Sequence, residues 1–308
     1  MIEEIREIPE KAQLCYQKNK EITLPEYVPY IGMGSSYFAP LTLKYLGCNI
    51  FPEIASEYFN YTFKNKKNNL AVLLSQSGAS SETIWNIEKF KEYIAIVNNL
   101  ESPLAKSEKA KEVIDISAGV EKHSSTKTYV NTLITLYQGL GIDTLEAINV
   151  ISNSIRKYEE WGDKHAEIIF NKYKNGTVNG IYVIGNGPNS ATAYEAALIF
   201  TESTKIPFIP MALPQYDHGP KESANNCIVL TINADGPVKD RTNHLLNVIT
   251  GAGATSIVWE ENDVPESISP ITSIVPMNCL AYSLARKLGI KETFAVGGKI
   301  TTVDDNLK

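Results

Sequence analysis

The sequence predicts an α/β protein in which one strand–helix unit occurs twice, and three observations predict it. Short apolar runs alternate with segments of helical period, the pattern of βαβ units on a parallel sheet. The runs that begin near residues 28, 70 and 93 recur in the same order near 180, 227 and 254. The first run of each set passes directly into a glycine-containing turn, Gly32-Met33-Gly34-Ser35-Ser36 in one case and Gly185-Asn186-Gly187-Pro188-Asn189 in the other.

Each element follows from local pattern. Residues 1–20 carry Ile2, Ile5, Ile8 and Leu14 near helical spacing and read as one helix. A short strand enters the turn at 32–36, and Tyr37 to Leu46 reads as a helix. Leu70–Leu74 is a buried-type strand followed by SQSGASSET and a helix to about Tyr93. Tyr93–Asn98 is the third strand and Val113–Ile116 the fourth. Residues 131–175 read as helices joining the halves. In the second half, GIYVIGNGPNS (180–190) leads into a helix from Ala191 to Thr204, CIVLTINADG (227–236) matches the second strand, and ATSIVWEEN (254–262) matches the third.

Composition narrows the function. At 308 residues the chain suffices for two cores without metals or disulfides. The net charge of −6 speaks against the broad basic face of a nucleic-acid binder, and Lys64, Lys66 and Lys67 form only a short solvated run. Cys15, Cys48, Cys227 and Cys279 lie far apart with no CxxC pair, so they read as reduced thiols rather than zinc ligands or a disulfide framework. No apolar run approaches the roughly 18–20 residues needed to cross a bilayer, and the first residues lack a signal core. The expectation is a soluble, cytoplasmic protein with no membrane partner, no metal and no cofactor.

The strongest chemical signal is Ser75-Gln76-Ser77-Gly78-Ala79-Ser80-Ser81-Glu82-Thr83. A strand ends, a glycine turn follows, and a helix begins. Helix starts offer unpaired backbone N–H groups, serine hydroxyls add donors, and Gly78 lets the backbone come close to a ligand. Together these make a phosphate cradle that needs no lysine. A strand-to-helix turn capped by Ser80 is the plainer reading of the same residues. Gly34, Ser35 and Ser36 follow the first strand and would border the same pocket, because parallel sheets bind ligands beyond the carboxyl ends of their strands.

Taken in order, GMGSSY, SQSGASSET and HSSTKT resemble the SIS (sugar isomerase) domains of the isomerase half of glucosamine-6-phosphate synthase. Three more positions extend the resemblance: Glu202 in ALIFTESTKI, His218 in DHGPKE, and Lys299 in GGKITTV. The resemblance implies two tandem SIS domains over 1–150 and 151–308, each a flavodoxin-like three-layer αβα parallel sheet flanked by helices. It implies that Ser75, Gln76, Ser77 and Ser80 bind a sugar phosphate, and that Ser36 and Ser125 contact it from neighbouring loops. It implies that Glu202 moves a proton between C1 and C2, that His218 opens the sugar ring, and that Lys299 meets the open-chain carbonyl. It also implies a homodimer with shared sites, His218 being donated by the neighbouring copy. His123, His165 and His244 match no role in the pattern.

The sequence departs from the family at Ile199 and Ile209, where the family has a lysine and a second glutamate, and it begins without a glutaminase domain. The first expectation is therefore an isomerase/deaminase acting on glucosamine 6-phosphate and fructose 6-phosphate. A phosphoglucose/phosphomannose-type isomerase or a fructosamine-phosphate deglycase is the nearest alternative. A non-catalytic sugar-phosphate sensor is the alternative from another class.

Overall fold

The computed structural model describes residues 1–62, 69–296, 298 and 302–304. Two helices, α1 (Ile2–Arg6) and α2 (Ile8–Asn19), stand where the sequence reads as one. Pro9 has no N–H and is tolerated in a first turn rather than in a helix interior, so the helix restarts there. Next come β1 (Pro29–Gly32), α3 (Ser35–Tyr45), β2 (Phe51–Ile54), α4 (Ala55–Glu57), β3 (Leu70–Leu74), α5 (Ser81–Trp85), β4 (Glu92–Val97), α6 (Pro103–Lys106), β5 (Ala110–Asp115) and α7 (Lys127–Gly139). A long helix α8 (Leu145–Lys174) leads to β6 (Gly180–Gly185), α9 (Asn189–Thr204), β7 (Ile209–Ala212), α10 (Leu213–His218), β8 (Cys227–Ala234), α11 (Lys239–Gly251), β9 (Thr255–Glu261) and α12 (Ser269–Leu288).

The strands form two sheets, ordered β2-β1-β3-β4-β5 and β7-β6-β8-β9, and every pairing is parallel. This is the α/β class with helix-flanked parallel sheets that the alternating pattern predicts. The central strands are largely buried, β8 throughout, and so read as continuous apolar runs. The edge strands β2 (FPEI) and β7 (IPMA) escape the sequence reading. They are short, carry a proline and are partly exposed, which suits an edge and hides the strand signal.

The chain divides into two compact units. One comprises Glu10–Glu121, Lys127–Thr144 and Ala295–Lys308 and holds β1–β5. The other comprises Met1–Pro9, Lys122–Thr126 and Leu145–Phe294 and holds β6–β9. The first unit packs Ile31, Tyr58, Leu73, Phe90, Tyr93 and Leu104 into its core. The second packs Ile184, Leu213, Tyr216, Val229, Leu245 and Ile249. The helix expected to run to about Tyr93 stops at Trp85, and a tighter turn spans Asn86–Lys89. Phe90 is then extended and buried and Tyr93 lies inside β4, so core packing ends the helix early. The fourth strand likewise starts earlier than expected, at Ala110.

In both sheets the strand order reverses at the first strand, between β1 and β3 and between β6 and β8. Connections leave in opposite directions at such a point and open a crevice beyond the strand ends. Both halves build the approach to it the same way. A Cβ on Gly32 would lie 2.5 Å from the Ser36 carbonyl oxygen, and one on Gly185 would lie 2.3 Å from the Asn189 carbonyl oxygen. Two residues later Gly34 and Gly187 take positive φ, 51° and 49°. The tight strand-to-helix turn thus requires glycine twice in each half. Gly185→Ala is expected to destabilise the protein by roughly 2 kcal/mol or more, because the backbone oxygen in its way cannot rotate aside. Thermal or urea unfolding checks this, and an unchanged midpoint would contradict it.

Candidate functional site

The crevice of the first sheet is formed by the loops after β1 and β3. Ser75 follows the last residue of β3, is 2% exposed, and donates its N–H to the Ile96 carbonyl of β4. From that fixed point the chain turns back: Gly78 N–H donates to the Ser75 carbonyl at 3.0 Å, and Ala79 N–H donates to Ser77 Oγ at 3.2 Å. Gly78 has φ +64°, and a Cβ there would lie 2.0 Å from Ser102 Oγ. Glycine is thus required twice over, by conformation and by contact. Asn98 N–H holds the Gln76 carbonyl and Leu104 N–H holds the Gly78 carbonyl, so the loop is tied to the chain after β4 on both sides of the turn.

Ser80 occupies the N-cap position of α5 but makes no side-chain capping bond. Its hydroxyl instead lies 3.0 Å from Ser75 Oγ, closing the loop on itself. The plainer capping reading is therefore not what this loop does. The helix behind it is short, so little dipole stands there, and an anion at this point would have to be met by the loop's hydroxyls and by N–H groups other than those of Ser75, Gly78 and Ala79. Ser81 Oγ accepts from the Asp304 N–H at 2.7 Å. Gly34, Ser35 and Ser36 stand across the switch point at the start of α3, with Gly34 at its N-cap. Residues 34–36 and 75–80 thus follow the adjacent parallel strands β1 and β3, on either side of the point where the strand order reverses.

The corresponding crevice of the second sheet is occupied by the protein itself. A Cβ on Gly236 would meet the Glu266 carboxylate at 2.4 Å, and one on Gly187 would meet it at 3.6 Å. The half-buried Glu266 has its pKa raised by desolvation. Asn186 donates to Thr242 Oγ1 and Asn189 donates to Ser269 Oγ, each at 2.7 Å, so the polar groups around it satisfy one another. A carboxylate where the other sheet has a serine loop disfavours an anion. The two halves share a backbone plan and differ in what fills it.

In the second unit the buried hydroxyls of Ser124 and Ser203 lie 3.2 Å apart. Their chain neighbours Ser125 and Glu202 lie on the loop before α7 and in the last turn of α9. Sequence reading missed Ser124 and Ser203 as agents, although both sit inside the motifs it singled out. His218 is the exposed last residue of α10. No bond among the described residues links it to Glu202. Its neighbour Asp217 anchors the corner by accepting from Lys221 at 2.8 Å and Arg241 at 2.9 Å. These hydrogen bonds, Lys221's first, hold its pKa down to about 2. Lys299 lies outside the described residues.

Burial pushes the Cys15 thiol up to about 11 and raises that of Cys279, so neither is poised as a nucleophile. Among the described residues no group of three or more His, Cys, Asp or Glu is placed to hold a metal ion, and no helix is long and apolar enough to cross a membrane.

Residues 28–140 match the SIS domain family model. The glutamine–fructose-6-phosphate aminotransferase [isomerizing] of Sulfolobus acidocaldarius is 29% identical over 244 residues, covering 75% of this chain and 40% of that protein. Its namesake from Methanothermobacter thermautotrophicus is 27% identical over 304 residues, covering 88% and 50%. The chain therefore spans about half the length of these curated relatives. Among solved structures, glucosamine-6-phosphate deaminase from Thermotoga maritima superposes with a TM-score of 0.80 at 20% identity, covering 98% of this chain and 99% of that one. The C-terminal domain of glucosamine-fructose-6-phosphate aminotransferase from Francisella tularensis gives 0.77 at 21%, covering 95% and 97%. At these identities the likeness is one of fold.

Because the Asp217 pKa lies below its unfolded value, the stability this carboxylate adds is present at neutral pH and is lost as pH falls from about 4 towards about 2. The pair is partly exposed, so the effect is small. Asp217→Asn is expected to lower the Tm by about 1–3 °C at pH 7 and by nothing measurable near pH 2. A deficit that persists unchanged at low pH would contradict the assignment.

Proposed function

We propose that this chain, which carries a SIS domain over residues 28–140, interconverts glucosamine 6-phosphate plus water with fructose 6-phosphate plus ammonia. The observation that carries the reading is the asymmetry of the two crevices: a loop after β3 whose Ser75 and Ser80 hydroxyls meet, against a Glu266-filled counterpart in the other sheet. The names of the relatives supply the substrate class, since both curated enzymes act at fructose 6-phosphate by name and one fold neighbour is a glucosamine-6-phosphate deaminase.

In this reading Ser75, Gln76, Ser77 and Ser80, with Gly34, Ser35 and Ser36 opposite, grip the phosphate. The phosphate is a remote handle whose binding energy orients the reacting carbons. Glu202 carries the proton between C1 and C2, the work of a carboxylate sheltered from water. Ser125 holds the sugar beside it. His218 opens the ring, a step that needs a group able to give and take a proton near neutral pH. Its exposure at the end of α10 suits a residue delivered to the site of a second copy, hence a homodimer. Lys299 meets the open-chain carbonyl. The β6–β9 sheet is a second SIS-type domain, with the division near residue 150, whose crevice is retired and whose helices supply the acid–base groups. The enzyme works in the cytoplasm.

Incubation with glucosamine 6-phosphate, with fructose 6-phosphate plus ammonia, and with glucose 6-phosphate tests the reading. Turnover of the first two is expected. Turnover of glucose 6-phosphate alone would replace the reading with simple aldose–ketose isomerisation, and binding without turnover of any would replace it with a sensor. Glu202→Gln is expected to lower kcat by roughly 10²–10⁴-fold while leaving fructose 6-phosphate binding within a few-fold. Full activity in that variant would remove Glu202 from the role of base.

A further inference from the structure

Thr293, just beyond α12, is bound from two directions. His123 Nδ1 lies 2.9 Å from Thr293 Oγ1, and Lys205 Nζ donates to the Thr293 carbonyl. The same Lys205 ammonium donates to the Glu202 carbonyl at 2.5 Å. His123 stands two residues before Ser125, and Lys205 three residues after Glu202. With the buried Ser124–Ser203 hydroxyl pair, three chain segments of one unit are therefore joined beside Ser125 and Glu202.

The backbone marks Lys205 as unusual. It caps α9 in the left-handed region, φ 64° and ψ 12°. That conformation at a helix end favours glycine or asparagine, because a Cβ is strained there. A lysine accepts the strain here while its ammonium bonds the Glu202 and Thr293 carbonyls. Carbonyls at a helix C-terminus lack intrahelical partners, and a lysine is suited to satisfying them. The arrangement has no counterpart in the sequence reading, which left His123 without a role and did not single out Lys205 or Thr293.

We propose that Lys205 and His123 are positioning residues that use Thr293 as a common anchor to hold the Glu202 end of α9 in register with the loop carrying Ser125. The proposal rests on the functional reading above for its effect on turnover, but not for its effect on structure. A base and a sugar-holding loop must keep their separation to a fraction of an ångström, and a displacement of about 1 Å can cost 10²-fold in rate. Neither residue needs to touch the substrate to set that separation.

Lys205→Gly separates positioning from plain stabilisation, because glycine relieves the backbone strain while removing the ammonium. The full chain carrying it is expected to keep or raise its Tm, to lose roughly 10-fold or more in kcat on glucosamine 6-phosphate, and to keep its KM within a few-fold. Lys205→Arg, which keeps a cationic donor, is expected to recover most of that loss. Unchanged kcat in Lys205→Gly would overturn the proposal, as would a failure of arginine to rescue. A second measurement needs no activity. Thr293→Val removes the hydroxyl partner of His123 and is expected to raise amide hydrogen exchange across residues 121–126 by roughly fivefold, with distant core strands unaffected. Unchanged exchange there would also overturn the proposal. If the unmodified protein turns over no sugar phosphate, the functional reading fails and the exchange measurement alone decides the positioning claim.

Discussion

Gly78 lies against Ser102 with no room for a side chain, and the shape of the β3–α5 loop depends on that contact. The chain leaves a buried strand at Ser75, must reverse within a few residues, and must enter α5 without colliding with the segment that follows β4. Only a glycine in the left-handed region does this. Once it is in place, the hydroxyls of Ser75 and Ser80 meet, the Ser77 hydroxyl takes the Ala79 N–H, and the loop's hydroxyls line the point where the strand order of the sheet reverses. The shape of the loop and the placing of its hydroxyls follow from one close approach.

The two sheets show that the backbone plan alone does not make a binding site. Gly32 and Gly185 allow the same tight turn, and Gly34 and Gly187 adopt the same unusual φ. In the second half the space beside Gly187 and Gly236 is taken by Glu266, and two asparagine side chains bond their neighbours across the crevice. An anion brought there would have to displace a carboxylate. Function in this fold is written in the few residues that fill or line the switch point, in keeping with the way one fold serves many activities.

Much of this was legible in the sequence. The central strands are continuous apolar runs, and their recurrence exposed the doubled α/β plan. The loop at 75–80 announced itself by its serines and by Gly78. What escaped detection has physical causes. The edge strands β2 and β7 carry prolines and partial exposure, so they lack the apolar signature of their buried neighbours. The helix after the serine loop ended early because Phe90 and Tyr93 are claimed by the core, a tertiary demand that no local pattern reveals. Ser124, Ser203, Lys205 and Thr293 act through bonds between segments far apart in the chain. Serine, lysine and threonine are common surface residues whose sequence positions carry no mark of such partners. Glu266, which distinguishes the two crevices, lies about thirty residues beyond the glycine it covers and could be placed only by the fold.

The central claim is that the first sheet's switch point grips a phosphate and the second sheet's does not. Amide chemical shifts recorded during titration with fructose 6-phosphate, and separately with unphosphorylated fructose, test it most directly. The account predicts that the phosphorylated sugar moves the resonances of residues 75–80 and 34–36, that those of 186–189 and 235–238 stay in place, and that fructose at the same concentration leaves both loops unchanged. Shifts centred on the second loop pair, or an equal response to both sugars, would contradict it.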